Sequence, residues 1–190
     1  MNIFTYHHSY LNTFFRSIPI TLPIITFIIY IFLKDIYIFY FCLGMIISQI
    51  SIPYIKYICK FFGYYLIKYN NNNIELPIIG RISRPTGANN CGCFYKNPDN
   101  LATSSGMPSG HSILAGFTSI FLYYYLINKY KIDKRYYTVI FILCLSFTLY
   151  TMYTRVLFNC HTIQQTVIGA IIGMIYGYYW YIFINKLINK

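Results

Sequence analysis

Residues 106–127 have the sequence GMPSGHSILAGFTSIFLYYYLI, in which a short polar segment leads directly into a long apolar run. The run from about Ser109 to Ile127 is close to the length that a helix needs to cross about 30 Å of hydrocarbon. His111 lies at the mouth of this run, where membrane proteins rarely keep an ionisable side chain without a function. The stretch therefore predicts a transmembrane helix with a polar site at its first turn.

Four further apolar runs of similar length occur along the chain. They cover about 17–33, 36–55, 136–153 and 163–184. The chain is 57% hydrophobic and 10% charged, whereas soluble domains have about 25% charged residues. We therefore predict an all-α protein, a polytopic bundle of about five transmembrane helices. We expect residues 1–190 to form a single domain embedded in the lipid bilayer.

The charge balance is strongly basic, with 15 Lys and Arg against four Asp and Glu and a formal net charge of +11. Such a balance suits nucleic acid, anionic lipid, or the loops that orient a membrane protein. No dense basic run is present, so we expect no nucleic-acid partner. Four carboxylates are too few to make a paired-carboxylate mechanism or a carboxylate-bound metal ion a good interpretation. We expect neither a metal nor a cofactor.

The number of crossings decides which polar segments share a face. Five crossings place the long polar stretch of about 60–108 on the same face as the 154–162 turn. His111 begins the third helix and His161 precedes the fifth, so both belong to this long-loop face. The 128–135 loop belongs to the opposite face. We therefore expect the two histidines to share one site.

The residues around these histidines are typical of an anion site. Ser109 and Gly110 stand at the first turn of the third helix, where unpaired amides and the helix dipole attract negative charge. Arg81, Arg84 and Arg155 supply forked cations, which are preferred partners of phosphate oxygens. With so few carboxylates, histidine remains for proton transfer and nucleophilic attack.

Three segments together resemble the motifs of the type 2 phosphatidic acid phosphatase superfamily, which includes vanadium haloperoxidases and polyprenyl-diphosphate phosphatases. They are Arg84-Pro85, Pro108-Ser109-Gly110-His111, and Arg155 separated by five residues from His161. Their order, spacing and membrane placement agree over about 81–165, the motif core, and the helix pattern extends the resemblance to about 20–185. The segment from Arg155 to Gln165 looks most like that of dolichyl-diphosphatases.

The resemblance implies a metal-independent membrane phosphatase of lipid phosphates or diphosphates, with a dolichyl-type polyprenyl diphosphate as the favoured substrate. It implies that His161 attacks phosphorus to form a phosphohistidine, and that His111 protonates the leaving oxygen and then helps to activate water. The phosphate-binding residues that it implies are Arg84, Arg155, Ser109 and Gly110, with Arg81 as a further cation. It also implies an active site on the lumenal or exterior face.

Two positions depart from the family pattern. Pro77 occupies the place of a lysine usually found seven residues before the first-motif arginine, and Arg81 is the expected substitute if it shares a helical face with Arg84. Gln165 replaces a common aspartate; its carbonyl can accept an imidazole N–H but stabilises a charged ring less well. These departures leave open an inactive relative that binds phosphorylated lipid without hydrolysing it. A phosphatidic acid or other lipid phosphate substrate also stays open, because any apolar helix wall suits an acyl or a prenyl chain.

Two features outside the motifs lead to further predictions. Cys91-Gly92-Cys93 has no second Cys/His pair at zinc spacing, which favours ordinary loop cysteines over a metal clip or a strained disulfide. Small residues recur every four positions on the fifth helix, at Gly169, Gly173 and Gly177. We expect this glycine stripe to pack against a helix of the same chain rather than in a dimer, but the oligomeric state stays open.

Basic residues outside the presumed site are divided unequally between the two faces. The long-loop face has Arg16, Lys56, Lys60, Lys68 and Lys96, and the opposite face has Lys34, Lys129, Lys131, Lys134, Arg135, Lys186 and Lys190. The slight excess predicts that the opposite face is cytoplasmic. We expect Lys56, Lys60 and Lys68 to contact lipid headgroups.

Overall fold

A computed structural model describes residues 9–69, 83–89, 91, 102 and 104–189. These residues form an all-helical bundle with five long helices. The helices are α1 (Ser9–Leu33), α2 (Ile36–Tyr69), α3 (Gly110–Lys129), α4 (Tyr137–Leu157) and α5 (Ile163–Ile188). Each is long and apolar enough to cross a membrane. The protein is therefore a multi-pass membrane protein, and the predicted fold class is confirmed.

The distribution of apolar side chains shows which helices face lipid. α3 is the central helix, since residues 112–119 are all buried. The outer helices turn large apolar side chains outward, as at Phe32 on α1, which is 80% exposed, and at Leu143 on α4. An apolar surface of this extent is stable in hydrocarbon but not in water.

The core lies where α2 and α5 pack against α3. Phe41 of α2 stacks on Phe121 of α3 with ring centroids 4.7 Å apart, and on Phe117 at 5.9 Å. Trp180 of α5 donates its indole N–H to the carbonyl of Tyr40 at 2.9 Å, which satisfies a polar group that hydrocarbon cannot solvate. These contacts set the position of α2 relative to the central helix.

The backbones of α3 and α5 approach each other closely. The contact recurs every four residues on both helices: Gly169 faces Ser109, Gly173 faces Ile113, and Gly177 faces Phe117. A Cβ atom on Gly169 or Gly177 would lie 2.6 Å from the facing carbonyl oxygen. Glycine is therefore required for this approach, and the expectation that the stripe packs within the chain is confirmed. The contact also holds the first turns of the two helices side by side.

The turn between α1 and α2 meets the last turn of α3 at the opposite end of the bundle. Asp35 accepts a hydrogen bond from the hydroxyl of Tyr125 at 2.8 Å and forms an ion pair with Lys129. This end therefore lies far from the first turn of α3. The arrangement agrees with the topology expected for alternate crossings.

Two helices begin or end outside the predicted limits. α1 begins at Ser9 rather than near residue 17, and α2 continues to Tyr69 rather than ending near residue 55. Hydropathy predicts which residues lie in the hydrocarbon of the bilayer. A helix can continue beyond them into the membrane–water interface as long as no residue breaks it. The extra length of α2 matters because it carries Lys56 to the end of the bundle where the first turn of α3 lies.

Candidate active site

The turn between α4 and α5 presents His161 at one end of the bundle. The backbone N–H of Cys160 donates to the carbonyl of Arg155 at 2.9 Å, and Asn159 adopts a left-handed φ of 52°, which asparagine tolerates better than most residues. Thr162 then caps α5 in a reciprocal capping box with Gln165. A compact turn between two long helices thus fixes the backbone beside His161.

Gln165 orients the ring of His161. The Nδ1 atom of His161 lies 3.2 Å from Oε1 of Gln165, while Nε2 of Gln165 donates to the carbonyl of Ser83 at 2.7 Å. Because a carbonyl only accepts hydrogen bonds, the amide nitrogen of Gln165 must face Ser83 and its oxygen must face the histidine. The Nδ1 atom of His161 is therefore the N–H donor, and its Nε2 atom carries the lone pair.

The surroundings of His161 favour a neutral ring. Its side chain is 5% exposed. Burial holds the pKa of His161 well below its ordinary value, and the charges of Arg84 and Lys56 lower it further. The hydrogen bond that His161 donates to Gln165 acts in the opposite direction. A neutral imidazole with a fixed tautomer is the form that acts as a nucleophile.

Arg84 joins three segments of the site. Its Nη1 atom donates to the carbonyl of Cys160 at 2.8 Å, and its Nε and Nη2 atoms donate to the carbonyl and hydroxyl of Ser104 at 3.1 and 3.0 Å. The guanidinium therefore lies between the residue before His161 and the segment that leads into α3. This is the position from which a forked cation can hold a phosphate beside the histidine.

Arg155 is fully buried in the last turn of α4. Its Nε atom lies 3.4 Å from the hydroxyl of Thr154, and its guanidinium carbon lies 5.9 Å from the ring centroid of Phe158. The charge of Arg155 acts on His111. The structure thus places a second guanidinium near His111.

The first turn of α3 closes the site from another side. Ser109 is the N-cap residue; its amide donates to the carbonyl of Gln165 at 3.0 Å, and its hydroxyl accepts from Ser112 at 3.1 Å. Gly110 packs closely against Ile52 of α2: a Cβ atom added to Gly110 would lie only 3.1 Å from the Ile52 side chain. The α3 start is therefore joined directly to the residue that orients His161.

His111 lies on the same first turn and is half-buried. Its Nε2 atom lies 3.3 Å from the carbonyl of Arg16 on α1, so Nε2 is the donor in this contact. The charges of Arg155, Arg84 and Lys56 all act on its ring. Both histidines are thus in the same cationic environment, as expected from their shared face.

A disulfide bond attaches the Arg84 segment to the turn before His161. Cys91 is bonded to Cys160, with Cα atoms 6.0 Å apart, and Asn89 donates to the carbonyls of Asn159 and Phe158 at 3.2 and 3.0 Å. The prediction that Cys91 is an ordinary loop cysteine is therefore wrong. A search for local spacing misses a partner 69 residues away in sequence, because only the folded chain brings the two together.

Three sequence predictions of this region lie outside the described residues: those on Arg81, Pro77 and Cys93. In the described part of the chain, no group of three or more His, Cys, Asp and Glu side chains lies close enough together to hold a metal ion. The described site is instead rich in cations and backbone donors, which suits an anionic ligand.

Sequence reasoning missed Lys56, which it assigned to the lipid headgroups. The ammonium of Lys56 donates to the carbonyl of Ser105 at 2.8 Å. This contact places it beside the segment that leads into α3. The only sequence signal was its position four residues after Ile52 on an apolar helix, which gives both side chains the same face.

Comparison with known protein families gives a match over most of the chain. The family model described as the PAP2 superfamily matches residues 36–189. The chain therefore belongs to the PAP2 superfamily, whose phosphatase members support a hydrolase activity for this chain. Comparison with curated proteins and comparison with solved structures each give no match. The resemblance found in the sequence is confirmed for the superfamily, and the likeness to dolichyl-diphosphatases stays a prediction.

Proposed function

We propose that this protein is a metal-independent membrane phosphatase that hydrolyses a lipid phosphate or diphosphate through a phosphohistidine on His161. The observation that carries the proposal is the hydrogen bonding of Gln165, which leaves a lone pair on Nε2 of a buried, neutral His161. Arg84 lies close enough for its charge to act on both histidines, and the charge of Arg155 acts on His111. A nucleophile among cations is what phosphoryl transfer requires.

The proposed reaction has two steps. Nε2 of His161 bonds to phosphorus while the bond from phosphorus to the leaving oxygen breaks. The imidazolium form of His111, which the anionic substrate stabilises, gives that oxygen the N–H proton that is not bonded to Arg16 and becomes neutral. Water then attacks the phosphohistidine, His111 takes up its proton, and phosphate leaves as His161 becomes neutral again. Arg84 and Arg155 stabilise the charge on the phosphoryl oxygens in both steps.

Further donors complete the proposed phosphate cradle. Ser109 and the amide of Gly110 lie at the N-terminus of α3, where the helix dipole favours an anion. Arg81 is retained as a proposed contributor on the motif resemblance alone. The helix end lies at the mouth of a membrane-spanning bundle, so a ligand bound there can keep its apolar chain in the bilayer.

The favoured substrate is a dolichyl-type polyprenyl diphosphate, with phosphatidic acid or another lipid phosphate second. The support is the resemblance of the segment from Arg155 to Gln165. Phosphate release from a lipid panel by the purified protein in detergent, with EDTA present, tests the proposal. We expect turnover in EDTA, fastest on the polyprenyl diphosphate.

Each other outcome of the panel has a definite meaning. Faster release from phosphatidic acid would assign the second substrate, and activity that requires added Mg²⁺ would refute the metal-independent mechanism. Binding of phosphorylated lipid without any release would identify an inactive relative. Such a relative has no need of a nucleophile with a fixed tautomer, and for that reason we favour hydrolysis.

We also propose that the active site faces the lumen or the exterior. The support is the disulfide between Cys91 and Cys160, since disulfides persist in oxidising compartments and are rare in the cytosol. The slight excess of basic residues on the opposite face points the same way. The bond also removes Cys91 as a native thiol reporter unless it is first reduced.

Labelling of sealed vesicles with the cytoplasmic side outward tests this orientation. In a background with Cys42, Cys59, Cys93 and Cys144 replaced by serine, a membrane-impermeant reductant followed by an impermeant maleimide should label Cys91 and Cys160 only after permeabilisation. Lys134→Cys on the opposite face is the control and should react without permeabilisation. Labelling of Cys91 in intact vesicles would reverse the topology.

A further inference from the structure

We infer that Lys56 is a substrate-binding residue of this site and that its ammonium binds the phosphate group together with Arg84. The inference rests on the proposed function, because it assigns a ligand contact within the same phosphatase site. Lys56 belongs to α2, which carries none of the three motifs. The argument depends on where α2 places this side chain and on the charges around it.

The face of α2 that carries Lys56 packs against the segment leading into α3. Ile52 lies one turn earlier on the same face and contacts Gly110. The ammonium of Lys56 reaches the carbonyl of Ser105 at 2.8 Å, four residues before the N-cap of α3. Lys56 therefore points into the site rather than along the membrane surface, and Ser105 accepts one of its three N–H groups.

The charge of Lys56 acts on the reacting groups. This positive charge interacts electrostatically with His161 and with His111. The positive charge of Arg84 also repels that of Lys56. These like charges repel one another at a place where burial limits screening by water. An anion bound among the cations offsets their mutual repulsion. A phosphate has enough oxygen atoms to accept hydrogen bonds from several cations at once.

No described carboxylate offers that compensation. The acidic residues in the described part of the chain are Asp35 and Asp133. Asp35 lies at the other end of α2, about 30 Å from Lys56 at 1.5 Å per residue, and it is already paired with Lys129. Asp133 is held by Arg135 in the loop before α4. The cation cluster is therefore suited to an external anion.

Lys60 provides a matched control on the same helix. It lies one turn beyond Lys56 and is exposed. A lysine that only contacts lipid headgroups should behave like Lys60. A lysine that binds the substrate phosphate should differ from it in substrate affinity and in affinity for phosphate analogues.

Steady-state kinetics of Lys56→Gln, Lys56→Met and Lys60→Gln in detergent test the inference, with orthovanadate as the competing anion. Loss of a charge-assisted hydrogen bond should raise KM and the inhibition constant for orthovanadate by about tenfold or more in both Lys56 variants. Lys56→Arg should recover most of the affinity, and Lys60→Gln should match the wild type. Thermal unfolding without ligand shows whether each variant is folded.

The outcomes separate this inference from the proposed function. If the Lys56 variants keep the wild-type KM and orthovanadate inhibition, Lys56 only anchors the loop at Ser105 and the inference fails while the phosphatase stands. If the wild type releases phosphate from no lipid, the proposed function fails. Stabilisation by orthovanadate in thermal unfolding then tests Lys56 directly: loss of that stabilisation in Lys56→Gln supports the anion contact, and its retention refutes it.

Discussion

Replacement of His161 by alanine is expected to abolish phosphate release, with a loss of at least about 10⁴-fold, as for other covalent enzymes that lose their nucleophile. The reason is that Nε2 of this ring is the atom that attacks phosphorus in the first step, so no phosphoenzyme can form without it. The measurement is phosphate release together with trapping of the phosphoenzyme from labelled substrate. The variant should form no phosphoenzyme while it still binds orthovanadate.

Variants at two neighbouring residues serve as comparisons for this result. His111→Ala should slow turnover by about 10² to 10⁴-fold, since it removes a general acid but leaves the nucleophile. Gln165→Ala should slow phosphoenzyme formation more than Gln165→Asp, because a carboxylate can still accept a hydrogen bond from Nδ1–H of His161. A phosphoenzyme on any residue other than His161, or turnover by His161→Ala, would refute the assignment of the nucleophile.

Gly173→Val is expected to destabilise the bundle by about 1–3 kcal/mol or more, the usual cost of overpacking a close contact. A Cβ on Gly173 would overlap the carbonyl of Ile113, so α5 would have to move away from α3. Thermal unfolding in detergent should show a lower midpoint. Phosphate release should fall as well, because the same contact aligns the helix turns that carry Ser109 and Gln165.

Ile171→Leu is the control for the glycine variant. Ile171 lies two residues away on the outward side of α5 and is 50% exposed, so a side chain of equal volume should leave the unfolding midpoint unchanged. Gly173→Ala should give a smaller change than Gly173→Val. An unchanged midpoint in Gly173→Val would show that the approach of α3 to α5 is not tight.

Much of the fold could be predicted from the lengths of the apolar runs in the sequence. The five apolar runs correspond to the five long helices, and the parity of the crossings placed His111 and His161 at the same end. The helix limits were less accurate, because the continuation of α2 beyond residue 55 depends on backbone hydrogen bonding rather than on hydropathy. The glycine stripe was also predictable, since small residues every four positions indicate a close helix contact.

The pairing of side chains was not predictable in this way. Cys91 and Cys160 are 69 residues apart, and Lys56 precedes Ser105 by 49 residues, so no local pattern joins either pair. Their proximity depends on how α2 and the Arg84 segment pack against the starts of α3 and α5. Such packing is set by side-chain shape across helices, which a single chain pattern does not encode.

The sequence by itself determined the class of protein, because membrane spans need apolar length, and it predicted an anion site, because arginine and a helix start favour phosphate. Only the tertiary structure decided the environment of those groups. It placed the Gln165 oxygen on Nδ1 of His161, attached the Arg84 segment to Cys160, and brought Lys56 to Ser105. These contacts join residues that are far apart in sequence, and the packing of the helices is what brings those residues within contact distance.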